Sequence, residues 1–399
     1  MSTPPLSDDG AFTVDGNRLT LLPGGPERLD ALIALIDGAE STLRLLYYIY
    51  ADDHAGRAIR AALERALDRA VRVALIVDGF GTAVPADFFT PLEEKGADVC
   101  RFLPRLGRRY LLRNHQKLAL ADERVAIVGG FNIEDSYFTD GDGWRDLGLI
   151  VEGPAAGRLS GYFDALSRWT HREGARLREL RRALSHWSQA DGGAMCWLLG
   201  GPTRRLSPWA RGLRREILHA RALDMIAAYF APTPRMMRAI GRVVKRGGRA
   251  RIVTAAKSDN NATIAAARHT YRRLLRRGVR LFEYQPTKLH TKLFIIDDVV
   301  HIGSANFDVR SLFLNLEIML RIEDAPFAAA MRAYVDGEIA DSLEITAATV
   351  QQASWFDRLR WRIAYWLVAV VDGRITRRLS FGVAEGQPSG KNHQSFQPQ

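Results

Sequence analysis

Leu289-His290-Thr291-Lys292-Leu293-Phe294-Ile295-Ile296-Asp297 echoes an earlier stretch, Asn114-His115-Gln116-Lys117-Leu118-Ala119-Leu120-Ala121-Asp122. Both read His-x-Lys with an Asp seven residues after the His. With nine His and seven Lys in 399 residues, about 0.16 His-x-Lys pairs are expected by chance. The pair is therefore signal. Each segment runs apolar like a buried strand, where residues i and i+2 share a face, so the spacing predicts that His and Lys point together. An imidazole beside an ammonium suits a phosphate: the ammonium holds non-bridging oxygens, and the ring attacks phosphorus or moves a proton. A second apolar run follows each motif and ends in small residues and an Asn, Val128-Gly129-Gly130-Phe131-Asn132 and Ile302-Gly303-Ser304-Ala305-Asn306. Small residues let backbone N–H groups approach an anion, and the Asn amide adds a donor.

Outward from the motifs, one order of elements occurs twice. Strand 43–50, helix 55–70, strand 71–77, helix 88–95 and strand 98–102 are expected before the first motif. Strand 223–230, helix 235–245, strand 250–254, helix 262–276 and strand 279–282 are expected before the second. Leu46-Tyr47-Tyr48-Ile49-Tyr50 has its counterpart in Ile226-Ala227-Ala228-Tyr229-Phe230. Strands 125–128 and 147–151 follow the first motif, and strands 299–302 and 315–322 the second. The alternation predicts an α/β fold with a mostly parallel sheet covered on both sides. Two copies with motifs 175 residues apart imply a pseudo-twofold that brings both motif strands to one interface. One active site then has two halves. The expected organisation is a flexible start over 1–15, one domain over 16–190, a second over 191–345, an amphipathic segment over 346–381 and a disordered tail over 382–399.

Fifty-six Lys plus Arg against 45 Asp plus Glu give +11, a balance that favours a polyanion or an anionic membrane surface. Cys100 and Cys196 form no CxxC or Cys/His cluster, which argues against structural zinc and fits a reducing compartment. The first residues carry no visible secretory signal, and no run approaches the ~18 apolar residues of a spanning helix, so a soluble or membrane-surface protein is expected. Between Ser354 and Leu367, Trp355, Phe356, Trp361 and Trp366 alternate with Arg358, Arg360 and Arg362, a pattern for a helix in the membrane interface or one docked on the protein itself. The loop 104–110, basic with a Tyr, leads into the first motif and is a candidate grip on phosphate. His54, His171, His186, His219 and His269 have no such setting, and His301 is left open.

The two motifs resemble the signature of the phospholipase D superfamily, His-x-Lys-x4-Asp followed by Gly-Gly/Ser-x-Asn, used twice. Trp144-Arg145-Asp146 with Val151-Glu152-Gly153-Pro154, and Asp308-x-Arg310-Ser311 with Asn315-x-Glu317, resemble its short bacterial cardiolipin synthase branch. The resemblance covers about residues 16–345. It implies two similar α/β/α sandwich halves with pseudo-twofold symmetry and one shared active site. It also implies phosphodiester exchange through a phosphohistidine, with His115 as nucleophile and His290 as general acid/base, although the sequence itself is symmetric. Lys117, Lys292, Asn132 and Asn306 would bear the transition-state charge, with no metal and no cofactor expected. Asp146, 31 residues after His115, and Glu317, 27 after His290, match acidic partners that fix each imidazole's tautomer. Asp122 and Asp297 read as turn-setting residues. One departure is Leu46, where many members carry an acid before the first Tyr-Tyr.

The implied reaction joins two phosphatidylglycerols, or one and a related donor, into cardiolipin with release of glycerol, by a peripheral protein on the cytoplasmic side of the membrane. A hydrolytic phospholipase D or a synthase of another anionic phospholipid would use the same residues. A metal-independent nuclease is permitted by the charge, but no specific nucleic-acid partner is expected, since nothing resembles a base-reading module. A binding module without catalysis is disfavoured because every reactive position is intact in both halves. The oligomeric state is open.

Overall fold

In the first half, leucines alternate between two cores. Leu43, Leu45 and Tyr47 face one buried cluster and Leu46 another; Ala119 and Ala121 join the first while Leu118 and Leu120 join the second. Leu293 and Ile295 likewise oppose Phe294 and Ile296 in the second half. That period of two makes strands buried on both faces, which must be covered by helices on both. The computed structural model describes residues 10–102, 112–188, 193–202 and 206–371. It contains two eight-stranded sheets.

The first sheet runs, edge to edge, Phe12–Val14, Asn17–Leu22, Gly148–Glu152, Val125–Gly129, Leu118–Ala121, Thr42–Tyr47, Arg72–Asp78 and Asp98–Phe102. The second runs Met195–Gly200, Glu317–Glu323, Val299–Gly303, Lys292–Ile296, Ala222–Ala227, Arg249–Ala255, Arg280–Tyr284 and Ser342–Ile345. Seven positions correspond; Phe12–Val14 and Ser342–Ile345 are additions at opposite edges. The two inner faces share one core, filled by helices Pro154–His171 and Ala325–Ala340. Helices Gly25–Asp37 and His54–Asp68 cover the outer face of the first sheet. Pro208–His219, Pro234–Lys245 and Asn261–Leu275 cover that of the second.

Three expectations are corrected. The sheets are mixed, not mostly parallel: each has two parallel pairs and five antiparallel ones. One antiparallel pair in each sheet comes from the turn after the motif, where Asp122 and Glu123, and later Asp297, take left-handed φ values of 49, 58 and 49°. Such turns close hairpins, whereas parallel neighbours need long crossovers. Second, the expected flexible start is too long, since Phe12–Val14 pairs with Asn17–Leu22. Third, the motif strands are shorter than the apolar runs, beginning at Leu118 and Lys292, so His115 and His290 precede them. The loop 104–110, residues 189–192 of the inter-domain break and the tail 382–399 lie outside the described residues.

The amphipathic segment forms helix Trp355–Tyr365 and one π-helical stretch, Trp366–Val371. Its Tyr365 is buried, stacks on His269 at 4.8 Å and donates its hydroxyl to the Pro232 carbonyl at 2.8 Å. The opposite side is open: Trp355 and Phe356 are 64% and 65% exposed. Docking on the protein and presentation of an apolar face therefore coexist. Among the described residues no helix is long and apolar enough to cross a membrane.

Candidate active site

Each motif enters its strand by pairing with the opposite half. The His115 N–H donates to the Leu316 carbonyl at 3.0 Å, and the Leu316 N–H to Arg113 at 2.9 Å. In the symmetric position Lys288–Leu289 runs parallel to Trp144–Arg145, and the His290 N–H donates to the Arg145 carbonyl at 2.7 Å. Leu316 and Arg145 each precede an acid. The crossing thus sets His115 Nδ1 3.1 Å from Glu317 Oε2 and His290 Nδ1 2.7 Å from Asp146 Oδ2. This overturns the same-half pairing of Asp146 with His115 and Glu317 with His290. Partners 202 and 144 residues apart leave no trace in local spacing.

Both carboxylates are fully buried, and each is held by further donors. Ser304 and Ser311 donate their hydroxyls to Glu317 at 2.5 and 2.8 Å, and Gln116 donates to its backbone carbonyl at 3.0 Å. The Leu147 N–H donates to Asp146 at 2.8 Å, while buried Arg28 binds the Asp146 and Tyr137 carbonyls at 2.7 and 2.8 Å. The Gly-Gly/Ser difference has a physical reason here. A Cβ on Gly130 would lie 2.6 Å from the Asp146 carboxylate and 2.9 Å from Lys292 Nζ, whereas Ser304 uses the equivalent space to reach Glu317. Gly303, at φ 154°, would drive a Cβ to 2.2 Å from the Ile318 carbonyl. A side chain fits at neither glycine.

Lys117 and Lys292 are both buried, and each is near enough for its charge to act on the other half's histidine. Lys117 Nζ donates to the His115 carbonyl at 2.8 Å; Lys292 Nζ bonds the His290 carbonyl and lies 2.6 Å from His290 Nδ1. That ring nitrogen donates to Asp146 or accepts from Lys292, not both at once. Burial, and then the charge of Lys292, lowers Lys117 to about 7; burial lowers Lys292 to about 8. His115 is pushed down by burial and by Lys117, and His290 by burial and by Lys292. Burial pushes Asp146 up, but Lys292 and His290 outweigh it and leave the carboxyl below its ordinary value. Two cations repelling each other beside two neutral imidazoles make a pocket that an oxyanion would stabilise.

Asn132 and Asn306 are both buried. Asn132 accepts from the Ile49 N–H at 3.2 Å and donates to Tyr137 Oη at 3.0 Å, while Asn306 Oδ1 meets no donor. Asp122 and Asp297 stay away from the pocket and staple the motif hairpin to the neighbouring strand. Asp122 accepts from the Glu40, Ser41 and Thr42 N–H groups at 2.8 to 2.9 Å, and Asp297 from Arg221 and Ala222 at 2.8 to 3.3 Å. His301 is structural: its Nε2 lies 2.5 Å from Glu216, which also takes Arg321.

Sequence reasoning missed the aromatic walls. Tyr48 stands 5.1 Å from the His115 ring, and Tyr137 and Trp144 stand 5.1 and 5.2 Å from His290. Only the paired Tyr-Tyr phrase and the Trp144-Arg145-Asp146 phrase hinted at them. Among the described residues no group of His, Cys, Asp and Glu is arranged to hold a metal.

A family model described as cardiolipin synthase, phospholipase D-like domain, matches residues 32–167 and 213–338. The chain belongs to the phospholipase D superfamily. Its superfamily relatives include cardiolipin synthase A of Pseudomonas putida, 30% identical over 359 residues, which span 87% of this chain and 74% of that one. Cardiolipin synthase A of Pseudomonas aeruginosa is 28% identical over 364 residues, 88% of this chain and 73% of that one. In fold, a phosphatidylserine synthase of Haemophilus influenzae superposes with a TM-score of 0.69 at 14% identity, covering 92% of this chain and 95% of that one. This superfamily member is accordingly a phospholipase D-type phosphodiesterase or transphosphatidylase. Both matched segments carry one His-x-Lys motif each, and helix Trp355–Tyr365 lies beyond them.

Proposed function

We propose that the chain makes cardiolipin from phosphatidylglycerol through a phosphohistidine at His115. The observation that carries this is the crossed pair of imidazole–carboxylate couples around two buried ammoniums, in a chain similar to cardiolipin synthases. Donation of Nδ1–H to Glu317 leaves His115 Nε2 with its lone pair free to attack phosphorus. The P–O bond to the terminal glycerol breaks, and His290, protonated, gives its proton to the departing oxygen. A bound phosphate raises both histidines toward their charged form, opposing the downward push of burial. His290 then takes the proton of a second phosphatidylglycerol hydroxyl, that oxygen attacks phosphorus, and the P–N bond breaks. Lys117, Lys292 and Asn306 stabilise the equatorial oxygens, and Asn132 joins them by turning its amide from Tyr137. Water at the second step would yield phosphatidic acid instead.

Asp122 and Asp297 act through the fold alone in this reading. The domain division at 190/191, between helix Leu177–Trp187 and strand Met195–Gly200, is the proposed join of the two copies. The exposed Trp/Phe face of the last helix supports peripheral attachment to a membrane, and the cytoplasmic side is the one proposed. Purified protein mixed with phosphatidylglycerol vesicles in the presence of a chelator should release glycerol and form cardiolipin. Phosphatidic acid as the main product would make it a hydrolase, and no turnover of lipid would refute the reading.

A further inference from the structure

Of the eight exposed large apolar side chains among the described residues, six lie on helix Trp355–Tyr365 and the turn that follows it. Where this segment lies on helix Asn261–Leu275 a groove forms, with Ala262, Ile264 and Ala265 on one wall and Leu359, Ile363 and Leu367 on the other. Its two arginines are already satisfied: Arg268 binds Glu283 through two bonds of 2.8 Å, and Arg360 pairs with Asp357 at 3.3 Å. The groove therefore offers hydrocarbon with little net charge, which suits an acyl chain better than a headgroup.

The groove also leads somewhere. It begins at Ala256 and Asn261, where the strand Arg249–Ala255 ends. Between them Asp259 accepts the Tyr229 hydroxyl at 2.8 Å, and the Tyr229 ring stands 6.2 Å from His290. From Asn261 to Arg268 the helix advances about 10 Å. One leaflet's hydrocarbon is about 15 Å deep.

We infer that this groove seats one acyl chain of the phospholipid whose phosphate lies between His115 and His290. The inference rests on the lipid reading above and extends it to how the substrate is drawn partly out of the bilayer. The headgroup end of the chain enters beside Tyr229, the first two-thirds of its length rests on Ala262 and Ile264, and the remainder stays among the membrane lipids that meet Trp355 and Trp366.

Phosphatidylglycerol carrying a diazirine midway along one acyl chain, mixed in detergent micelles with the full-length protein and irradiated, tests this. Mass spectrometry should find the label on peptides holding Ile264 and Leu359. Ala262→Trp, at an exposed helix position, should cut that labelling at least about five-fold while Trp355 and Trp366, outside the groove, remain labelled; Ile264→Trp is a second filler should the first misfold. Label confined to Trp355 and Trp366, or unchanged in both variants, overturns the inference. So does a groove without lipid label because the residues after 371 or a second copy fill it. The labelling needs no turnover, so it separates from the lipid reading: cardiolipin formation without groove labelling sinks only the groove. Where cardiolipin is formed, Ala262→Trp should slow long-chain phosphatidylglycerol about ten-fold and spare short-chain lipid.

Discussion

Glu317→Gln should behave as a lesion of His115, although Glu317 follows the other histidine in the chain. Its carboxylate, fully buried, sits 3.1 Å from His115 Nδ1 and takes two serine hydroxyls. An amide there keeps the volume but removes the charge, and its NH₂ faces hydroxyls that were donating. The lost charge-assisted bond is worth about 1.5–3 kcal/mol, or roughly 10- to 150-fold in rate. If the imidazole also flips to the wrong tautomer, the loss rises to about 10⁴-fold, as for the buried acid of serine proteases. The assay is intact-protein mass spectrometry after rapid quench with phosphatidylglycerol. His290→Ala and Asp146→Asn should accumulate a phosphatidyl adduct, whereas His115→Ala and Glu317→Gln should show none. The comparison holds whichever histidine is the nucleophile, because it asks which acid variant tracks which histidine variant. Glu317→Gln that tracks His290→Ala would refute the crossed pairing.

Gly130→Ala should fold but lose about 10²-fold or more in activity, because its methyl meets the Asp146 carboxylate and Lys292; circular dichroism with a turnover assay reads this. Asp122→Ala should cost roughly 1–3 kcal/mol in urea unfolding, through three backbone bonds and a left-handed φ, yet leave turnover per folded molecule unchanged. Burial pushes Asp122 up, but those bonds hold it at about 2, below an unfolded Asp near 3.9. Its contribution is therefore present above about pH 4 and fades as pH falls toward 2, which acid titration of wild type against Asp122→Ala should show as converging stabilities. Lys117 at about 7 and Lys292 at about 8 make oxyanion affinity fall as pH rises through that window, so tungstate should bind more tightly at pH 6 than at pH 9. Replacing Trp355, Phe356 and Trp366 with Ser should release the protein from anionic vesicles in flotation while sparing turnover of micellar lipid.

The sequence made the duplication legible because the motif is written in rare residues, and the strands legible because both faces are apolar. Strand direction was not legible: the hairpin depends on left-handed φ at Asp122 and Glu123, which those residue types tolerate but do not demand. The candidate residues were readable one by one, yet their wiring was not. His115 finds Glu317 only because Leu316 pairs with Arg113 and His115 across the join, a contact between segments two hundred positions apart. Met195–Gly200, buried along its whole length, was missed because the glycine-rich break before it masks the start of the second copy.

In the proposed mechanism the two halves build one phosphate pocket. Isothermal titration of the intact chain with tungstate measures it directly. One oxyanion per chain is expected, with binding lost in Lys117→Ala and equally in Lys292→Ala. Two oxyanions per chain, each abolished by only one of those substitutions, would mean two separate sites and contradict the account.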